Sequence, residues 1–118
     1  MAKYMVLIFG DEAEWEAMSS KEEAKIHEAH RAFTARAGTA ILAAGQLERS
    51  QTSTSLRADG AGQVAITDGP FLEAKEVLGG FYLLEADDLD QVISLASGLH
   101  EVHAGHSGVE IRPLVDHG

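Results

Sequence analysis

The chain has no cysteine, only two prolines and a single tryptophan among its 118 residues. Without cysteine it can form neither a disulfide nor a thiolate metal site, and a cysteine nucleophile is excluded. That composition fits a reducing compartment, so we expect a cytoplasmic protein. The scarcity of proline and a hydrophobic content of 45% argue against a disordered chain.

Positive charge is also scarce. Nine Lys and Arg residues are set against nineteen Asp and Glu residues, which gives a formal net charge of -10 at pH 7. The phosphate backbone of a nucleic acid and the surface of an anionic membrane would both repel such a chain. We therefore expect no direct nucleic-acid partner and no membrane partner.

Long hydrophobic runs are missing too. The N-terminal run from Tyr4 to Phe9 ends at Gly10-Asp11, well short of the ~20 apolar residues that a membrane-spanning helix needs. It has no small-residue cleavage site either, so it predicts a first strand and not a signal peptide. The length, with no linker and no internal repeat, fits one domain over residues 1–118.

The hydrophobic pattern predicts the elements of an α+β domain. Apolar runs and alternation indicate strands over 4–9, 40–44, 53–57, 63–67, 81–84 and 109–112, of which the third and fourth flank a glycine-containing hairpin turn. Ser20 and Asp88 are expected to cap two helices. The buried stripe of the first helix is expected to consist of Ile26, Ala29, His30, Phe33 and Ala37.

This order of elements is typical of an antiparallel sheet with two helices on one face, as in ferredoxin-like folds. The strands over 4–9 and 81–84 are apolar on both faces, whereas two helices can cover only one. The uncovered face would form a large apolar patch. A second copy of the chain is its simplest cover, and we expect a homodimer.

The stretch from Thr67 to Leu84 carries a family resemblance. Its sequence, TDGPFLEAKEVLGGFYLL, resembles the signature of the DGPF-type branch of the YCII-related proteins. Further matches, at KYM (3–5), LIFG (7–10), AGQL (44–47) and VEIRP (109–113), extend the resemblance over nearly the whole chain. The resemblance implies a ferredoxin-like subunit that pairs into a dimeric α/β barrel.

The resemblance implies less about activity. Some relatives occur beside or fused to extracytoplasmic-function sigma factors, and others are suspected enzymes with a histidine–aspartate pair in a cleft. His30 is the positional match for that histidine. The aspartate of those enzymes precedes a proline after the second helix, where this chain has SGLHE over 97–101, with neither residue. Two hypotheses stay open: a cleft enzyme or small-ligand binder, and a non-catalytic partner protein linked to sigma-factor regulation.

Two residues are candidates for catalysis. His30 points inward from its helix, so it is either a hydrogen-bonded core histidine or a cleft base, since an ordinary imidazole titrates near pH 6.5. Asp68 begins the Asp68-Gly69-Pro70-Phe71 segment, whose residue types favour a turn. The alternative role for Asp68 is that of a general base or ligand anchor.

Three residues are candidates for ligand binding. Phe71 is expected to anchor its loop in the core or the dimer seam, or to contact a ligand. Lys75 either forms a solvated pair with a neighbouring glutamate or lines the cleft. Arg112 shares the outward side of the last strand with Glu110, so it either pairs with that residue or recognises a carboxylate.

Neither a metal nor a cofactor is expected. His100, His103 and His106 follow one another at three-residue steps, but Gly105 interrupts a helix there and the spacing is not diagnostic of a metal site. The sequence has no phosphate-binding glycine motif and no nucleophile-elbow motif.

Overall fold

Ten regular elements follow one another in the computed structural model, which describes residues 1–118. In chain order they are β1 (Ala2–Asp11), α1 (Glu12–Glu16), α2 (Ser20–Ala37), β2 (Ile41–Gln46), β3 (Thr54–Ala58), β4 (Val64–Asp68), β5 (Glu76–Ala86), α3 (Leu89–Ala96), α4 (His100–His103) and β6 (Ser107–Pro113). The predicted mixed α+β class is confirmed. No helix is both long enough and apolar enough to cross a bilayer.

Side-chain caps determine where the helices begin. Asp11 accepts a hydrogen bond from the Ala13 N–H at the start of α1, and Asp88 accepts one from the Gln91 N–H at the start of α3. The predicted cap of α2 is wrong by one residue, because Ser19, in extended backbone, accepts from the Glu22 N–H. Gly38 ends α2 with a φ of 55°, a conformation that favours glycine.

The four long strands form one antiparallel sheet in the order β2-β5-β1-β6, and β3 and β4 form a separate hairpin. The helices cover one face of the sheet. Phe33 and Ala37 from α2, and Val92 and Ala96 from α3, meet the alternate strand residues Tyr4, Val6, Leu84 and Ala86 in a single buried cluster. The opposite face presents residues outside this core: Met5, Leu7, Phe9, Phe81 and Leu83.

Strand β5 is longer than predicted. The predicted strand began at Phe81, after Gly79 and Gly80, but both glycines lie inside β5, where the pairing with β1 shifts by one residue between Ile8 and Phe9. A Cβ on Gly79 would lie 2.6 Å from the Trp15 ring, so glycine is needed here for close packing and not for a turn.

The β3–β4 hairpin carries an unusual number of exposed apolar side chains. Ile66 is 69% exposed and Leu72, just after the hairpin, is 74% exposed. The expectation that Phe71 anchors its loop in the core is wrong, because the ring is 58% exposed and packs against the Arg57 guanidinium, 4.5 Å from the ring centroid. The hairpin therefore presents an apolar surface that the single chain does not bury.

Candidate functional site

A cleft of about 590 Å³ lies on the helix side of the sheet, a volume typical of small-molecule sites. Helices α1 and α2 form one side of it, and the end of β2 with the middle of β5 forms the other. Its apolar lining includes Ile8, Trp15, Met18, Ile26 and Leu47, and its polar lining includes His30, Tyr82 and Glu101. The cleft thus combines an apolar wall with one group of hydrogen-bonding side chains.

His30 lies at the centre of that group. Its Nε2 is 3.0 Å and 2.9 Å from the two carboxylate oxygens of Glu101, and its Nδ1 is 2.6 Å from the Tyr82 hydroxyl. The His30 side chain is 23% exposed and that of Glu101 only 8%. We call these three residues the His30 triad.

The contacts of His30 determine its neutral tautomer. A carboxylate only accepts hydrogen bonds, so the proton of the neutral imidazole resides on Nε2 and is donated to Glu101. Nδ1 is then an acceptor, and the Tyr82 hydroxyl donates to it. This arrangement leaves the basic lone pair of His30 facing Tyr82, and both residues line the cleft.

Two pKa shifts describe the electrostatics of the triad. Burial raises the pKa of Glu101, but the hydrogen bond from His30 and the charge of that ring, together with a backbone hydrogen bond and the charge of His100, outweigh burial and hold the pKa below its usual value. Burial also raises the pKa of Tyr82, and the nearby Glu101 carboxylate adds to this effect. At neutral pH the triad therefore contains an ionised Glu101 and a protonated Tyr82.

Tertiary packing places the carboxylate of the triad. Glu101 belongs to α4, a single turn that follows the fully buried Leu99 and packs against α2, which carries His30. Tyr82 comes from β5, and its ring packs on Phe33 with centroids 4.4 Å apart. The three side chains thus come from three elements that share the core.

Trp15 forms an apolar wall of the cleft by packing its ring against two glycines. Cβ atoms at Gly10 and Gly79 would both collide with the indole ring, whose Nε1–H donates to Ser107 Oγ at 2.9 Å. Strands β1 and β5 therefore approach the ring at positions that lack side chains. Trp15 is fixed both by packing and by a hydrogen bond.

Two polar contacts close the rim of the cleft beside α1. Glu12 accepts from both the backbone N–H and the hydroxyl of Ser50, which lowers the pKa of the Glu12 carboxyl. Arg49 pairs with Glu16 at 2.6 Å. These bonds tie the segment after β2 to α1 across the mouth of the cleft.

A second histidine cluster lies apart from the triad. His100 and His106 place their Nε2 atoms 3.0 Å and 3.1 Å from one carboxylate oxygen of Glu22, and these hydrogen bonds lower the pKa of Glu22. His103 instead contacts the Ser97 carbonyl. No group of three or more His, Asp or Glu side chains has the geometry of a metal site.

Of the five residues predicted for a site, only His30 lines the cleft. Asp68 is an exposed residue at the end of β4, and Phe71 lies on the exposed surface of the hairpin region. The Lys75 ammonium is 4.0 Å from the Asp11 carboxylate, and Arg112 is 3.9 Å from Glu110 on the surface of β6. Within the chain, the structure does not bring these four residues to His30.

The sequence prediction missed Glu101, Tyr82 and Trp15. Glu101 does have a sequence signal, because it falls in the segment where the suspected enzymes among the relatives have their aspartate, and it is the carboxylate of that segment. Tyr82 lies within the family-like stretch but in a strand that is apolar on both faces. Trp15 had no signal beyond being the single tryptophan.

Comparison with known proteins finds the family and one relative. The YCII-related domain matches residues 2–116. The chain is 31% identical over 113 residues to an uncharacterized protein of Rhizobium meliloti (strain 1021), a match that covers 94% of this chain and 90% of that protein. Because the family match covers nearly the whole sequence, the chain belongs to the YCII-related family.

Proposed function

We propose that the protein is a small cleft enzyme in which Nδ1 of His30 removes a proton from a bound substrate. The observation that carries this proposal is the geometry of His30, a residue of the cleft lining: its Nε2–H is donated to a buried carboxylate, and its basic nitrogen faces Tyr82, a second residue of that lining. A histidine filling a core position would have no such access. The catalytic role predicted for Asp68 has no support from this geometry.

Glu101 would hold His30 in position and stabilise its charged form. When Nδ1 takes up a proton, the imidazolium donates from Nε2 to the ionised Glu101 at 2.9 Å. Glu101 is a positioning residue in this scheme, because His30 lies between it and the substrate. Its lowered pKa keeps it ionised over the whole neutral range.

Tyr82 would supply a hydrogen-bond donor to the negative charge that proton removal creates. Its hydroxyl donates to Nδ1 in the resting state, and a substrate whose C–H or O–H approaches Nδ1 must displace it. The raised pKa keeps the hydroxyl protonated, so it can donate to an oxyanion formed nearby. A base and a donor at this spacing suit an elimination or an isomerisation that begins with proton abstraction.

A surrogate reaction tests the base directly. The neutral bicycle 5-nitrobenzisoxazole opens when a base removes the C–H of its isoxazole ring: the electron pair forms the nitrile, the N–O bond breaks, and the oxygen becomes the phenolate of a single coloured product, 2-cyano-4-nitrophenolate. We expect the wild-type protein to accelerate this opening. The acceleration over the uncatalysed rate should be at least about tenfold smaller for the His30→Gln variant than for the wild type. Absorbance of the phenolate gives the initial rates.

His103→Gln is the matched control for that assay. His103 is exposed and does not line the cleft, so its replacement should leave the rate unchanged. Equal rates for the wild type and His30→Gln would refute the base assignment, and so would a wild-type rate no higher than that of free imidazole. Equal rates are also the result that a non-catalytic, sigma-factor-linked partner protein would give.

We further propose that the subunit has the ferredoxin-like fold and forms the dimeric α/β barrel of the DGPF-type branch. The sheet order β2-β5-β1-β6, with α2 and α3 on one face, supports the subunit fold. The apolar residues on the opposite face, such as Leu7 and Leu83, support pairing with a second copy. The exposed Ile66 of the hairpin is a further apolar side chain that the single chain leaves uncovered. A cytoplasmic location stays a prediction.

Dimerisation can be measured by sedimentation equilibrium at micromolar concentration. We expect twice the chain mass for the wild type and at least about tenfold weaker association for Leu7→Glu, because a charge would be buried in an apolar interface. Leu89→Glu changes an exposed leucine of α3 and should leave association intact. A monomeric wild type, or a Leu7→Glu variant that still folds and dimerises as tightly, would exclude this interface.

A further inference from the structure

The cleft lacks the free positive side chains that a site for a carboxylate or another anionic ligand would need. Three carboxylates of the lining have partners within the chain: Glu12 accepts from Ser50, Glu16 pairs with Arg49, and Glu101 accepts from His30. Arg49 is the one Lys or Arg side chain of the lining, and its pairing with Glu16 at 2.6 Å uses its charge. The cleft therefore offers an anionic ligand no free guanidinium or ammonium.

Two further carboxylates of the lining have no partner. Glu23 on α2 and Glu48 after β2 form neither a hydrogen bond nor an ion pair through their side chains, and both are exposed at the cleft. They come from opposite sides of the cleft, the helix side and the strand side. A positive group bound in the cleft would be attracted by both carboxylates of the lining, in addition to the field of a chain with net charge -10.

The apolar wall of the cleft favours a ligand with an apolar body. Trp15 is held rigidly over Gly10 and Gly79, and its indole is among the groups of the lining. Ile26 and Leu47 add aliphatic surface to the lining. An indole face also attracts organic cations, because the π system carries negative charge.

We infer that the cleft selects a flat, apolar-bodied organic cation over neutral and anionic ligands of the same shape. This inference rests on the proposed function, since it names the substrate class for the cleft that contains the His30 base. A cationic group next to the reacting C–H also eases proton removal, because it stabilises the negative charge left on carbon. The wall, the two free carboxylates and the base then serve one substrate.

Three ligands of nearly identical shape test the charge preference: benzamidinium, benzamide and benzoate. Trp15 is the single tryptophan and lines the cleft, so its fluorescence reports binding directly. At about 10 mM salt, where charges act over about 30 Å, we expect benzamidinium to bind at least tenfold more tightly than benzoate, with benzamide between them. Raising the salt concentration should reduce the difference in affinity between benzamidinium and benzoate.

Two double variants separate the cleft from the charge of the whole chain. Glu23→Gln with Glu48→Gln should abolish most of the preference for benzamidinium. Glu28→Gln with Glu73→Gln removes the same net charge at exposed positions outside the lining and should keep it. Benzoate binding as tightly as benzamidinium, equal losses in the two double variants, or no fluorescence response to any of the three ligands would each overturn the inference.

The His30→Gln variant distinguishes this inference from the proposed base. Its charge preference should equal that of the wild type, because the carboxylates and the wall are unchanged. If the preference holds but 5-nitrobenzisoxazole is not opened, the base assignment fails and the ligand class stands. If the preference fails while the ring-opening activity holds, the ligand class alone is wrong.

Discussion

Replacing His30 by leucine should lower the free energy of unfolding by roughly 3 kcal/mol at pH 7, because it leaves the buried Glu101 carboxylate without its partner. Removing the partner of a buried charge costs about 3–5 kcal/mol because the charge is left uncompensated, and the partial exposure of His30 puts the expected loss at the low end of that range. Urea unfolding followed by circular dichroism measures the change. His103→Leu, at an exposed histidine, should cost far less.

The pH dependence of that loss identifies its cause. In the wild type the pKa of Glu101 is lowered. The contribution of this carboxylate to stability is therefore fully present at pH values above the ordinary pKa of glutamate, and it is lost as pH falls through the lowered pKa. In His30→Leu the two largest effects that oppose burial are lost, so we expect burial to outweigh the remaining backbone hydrogen bond and the charge of His100 and to raise the pKa of Glu101. The variant is then penalised wherever this carboxyl is ionised. The difference in unfolding free energy between the wild type and His30→Leu should therefore be fully present at pH 7. It should shrink as pH falls through the raised pKa of Glu101 in the variant.

Glu101→Gln provides the check on this mechanism. The amide retains the shape of the side chain but has no charge to desolvate, so His30→Leu made on the Glu101→Gln background should cost less and lose its pH dependence. An equal cost on both backgrounds would mean that His30 stabilises the fold by packing alone. The positioning role proposed for Glu101 would then lose its physical basis.

Most of the regular elements could be predicted from the sequence because their signals are local. The apolar run of β1, the stripe of α2 and the Asp88 cap of α3 each act within a few residues, and all three elements form close to where they were expected. Helix α4 could not be predicted in the same way. A single turn has little stability of its own, and α4 forms because the buried Leu99 and Glu101 pack against the rest of the fold.

The residues of the site were harder to predict from the sequence than the elements of the fold. The periodicity of α2 identified His30 as an inward-facing residue, but its partners Tyr82 and Glu101 are 52 and 71 residues away along the chain. Local patterns do not say which carboxylate will reach a given imidazole. Asp68 was favoured because it lies in a family-like turn, yet that turn belongs to the hairpin and not to the cleft.

The second large effect is expected at Gly10, where any side chain would occupy the place of the Trp15 ring. A Cβ there would overlap the indole and lie 2.6 Å from Ser107 Oγ. The ring cannot move away without giving up its hydrogen bond to Ser107, and the strand pairs with neighbours on both sides. Gly10→Ala should therefore cost about 3 kcal/mol, the upper part of the usual range for overpacking.

Two measurements separate this loss from a general effect of the substitution. Urea unfolding gives the change in stability, and the emission and acrylamide quenching of the single tryptophan show whether the indole has left its place. Gly105→Ala is the matched control, because a Cβ at Gly105 meets no atom within 4 Å. If Gly10→Ala is as stable as Gly105→Ala and its indole is equally protected from quencher, Trp15 does not lie over Gly10. The apolar wall inferred for the cleft would then be wrong, and the preference for a flat ligand would lose its basis.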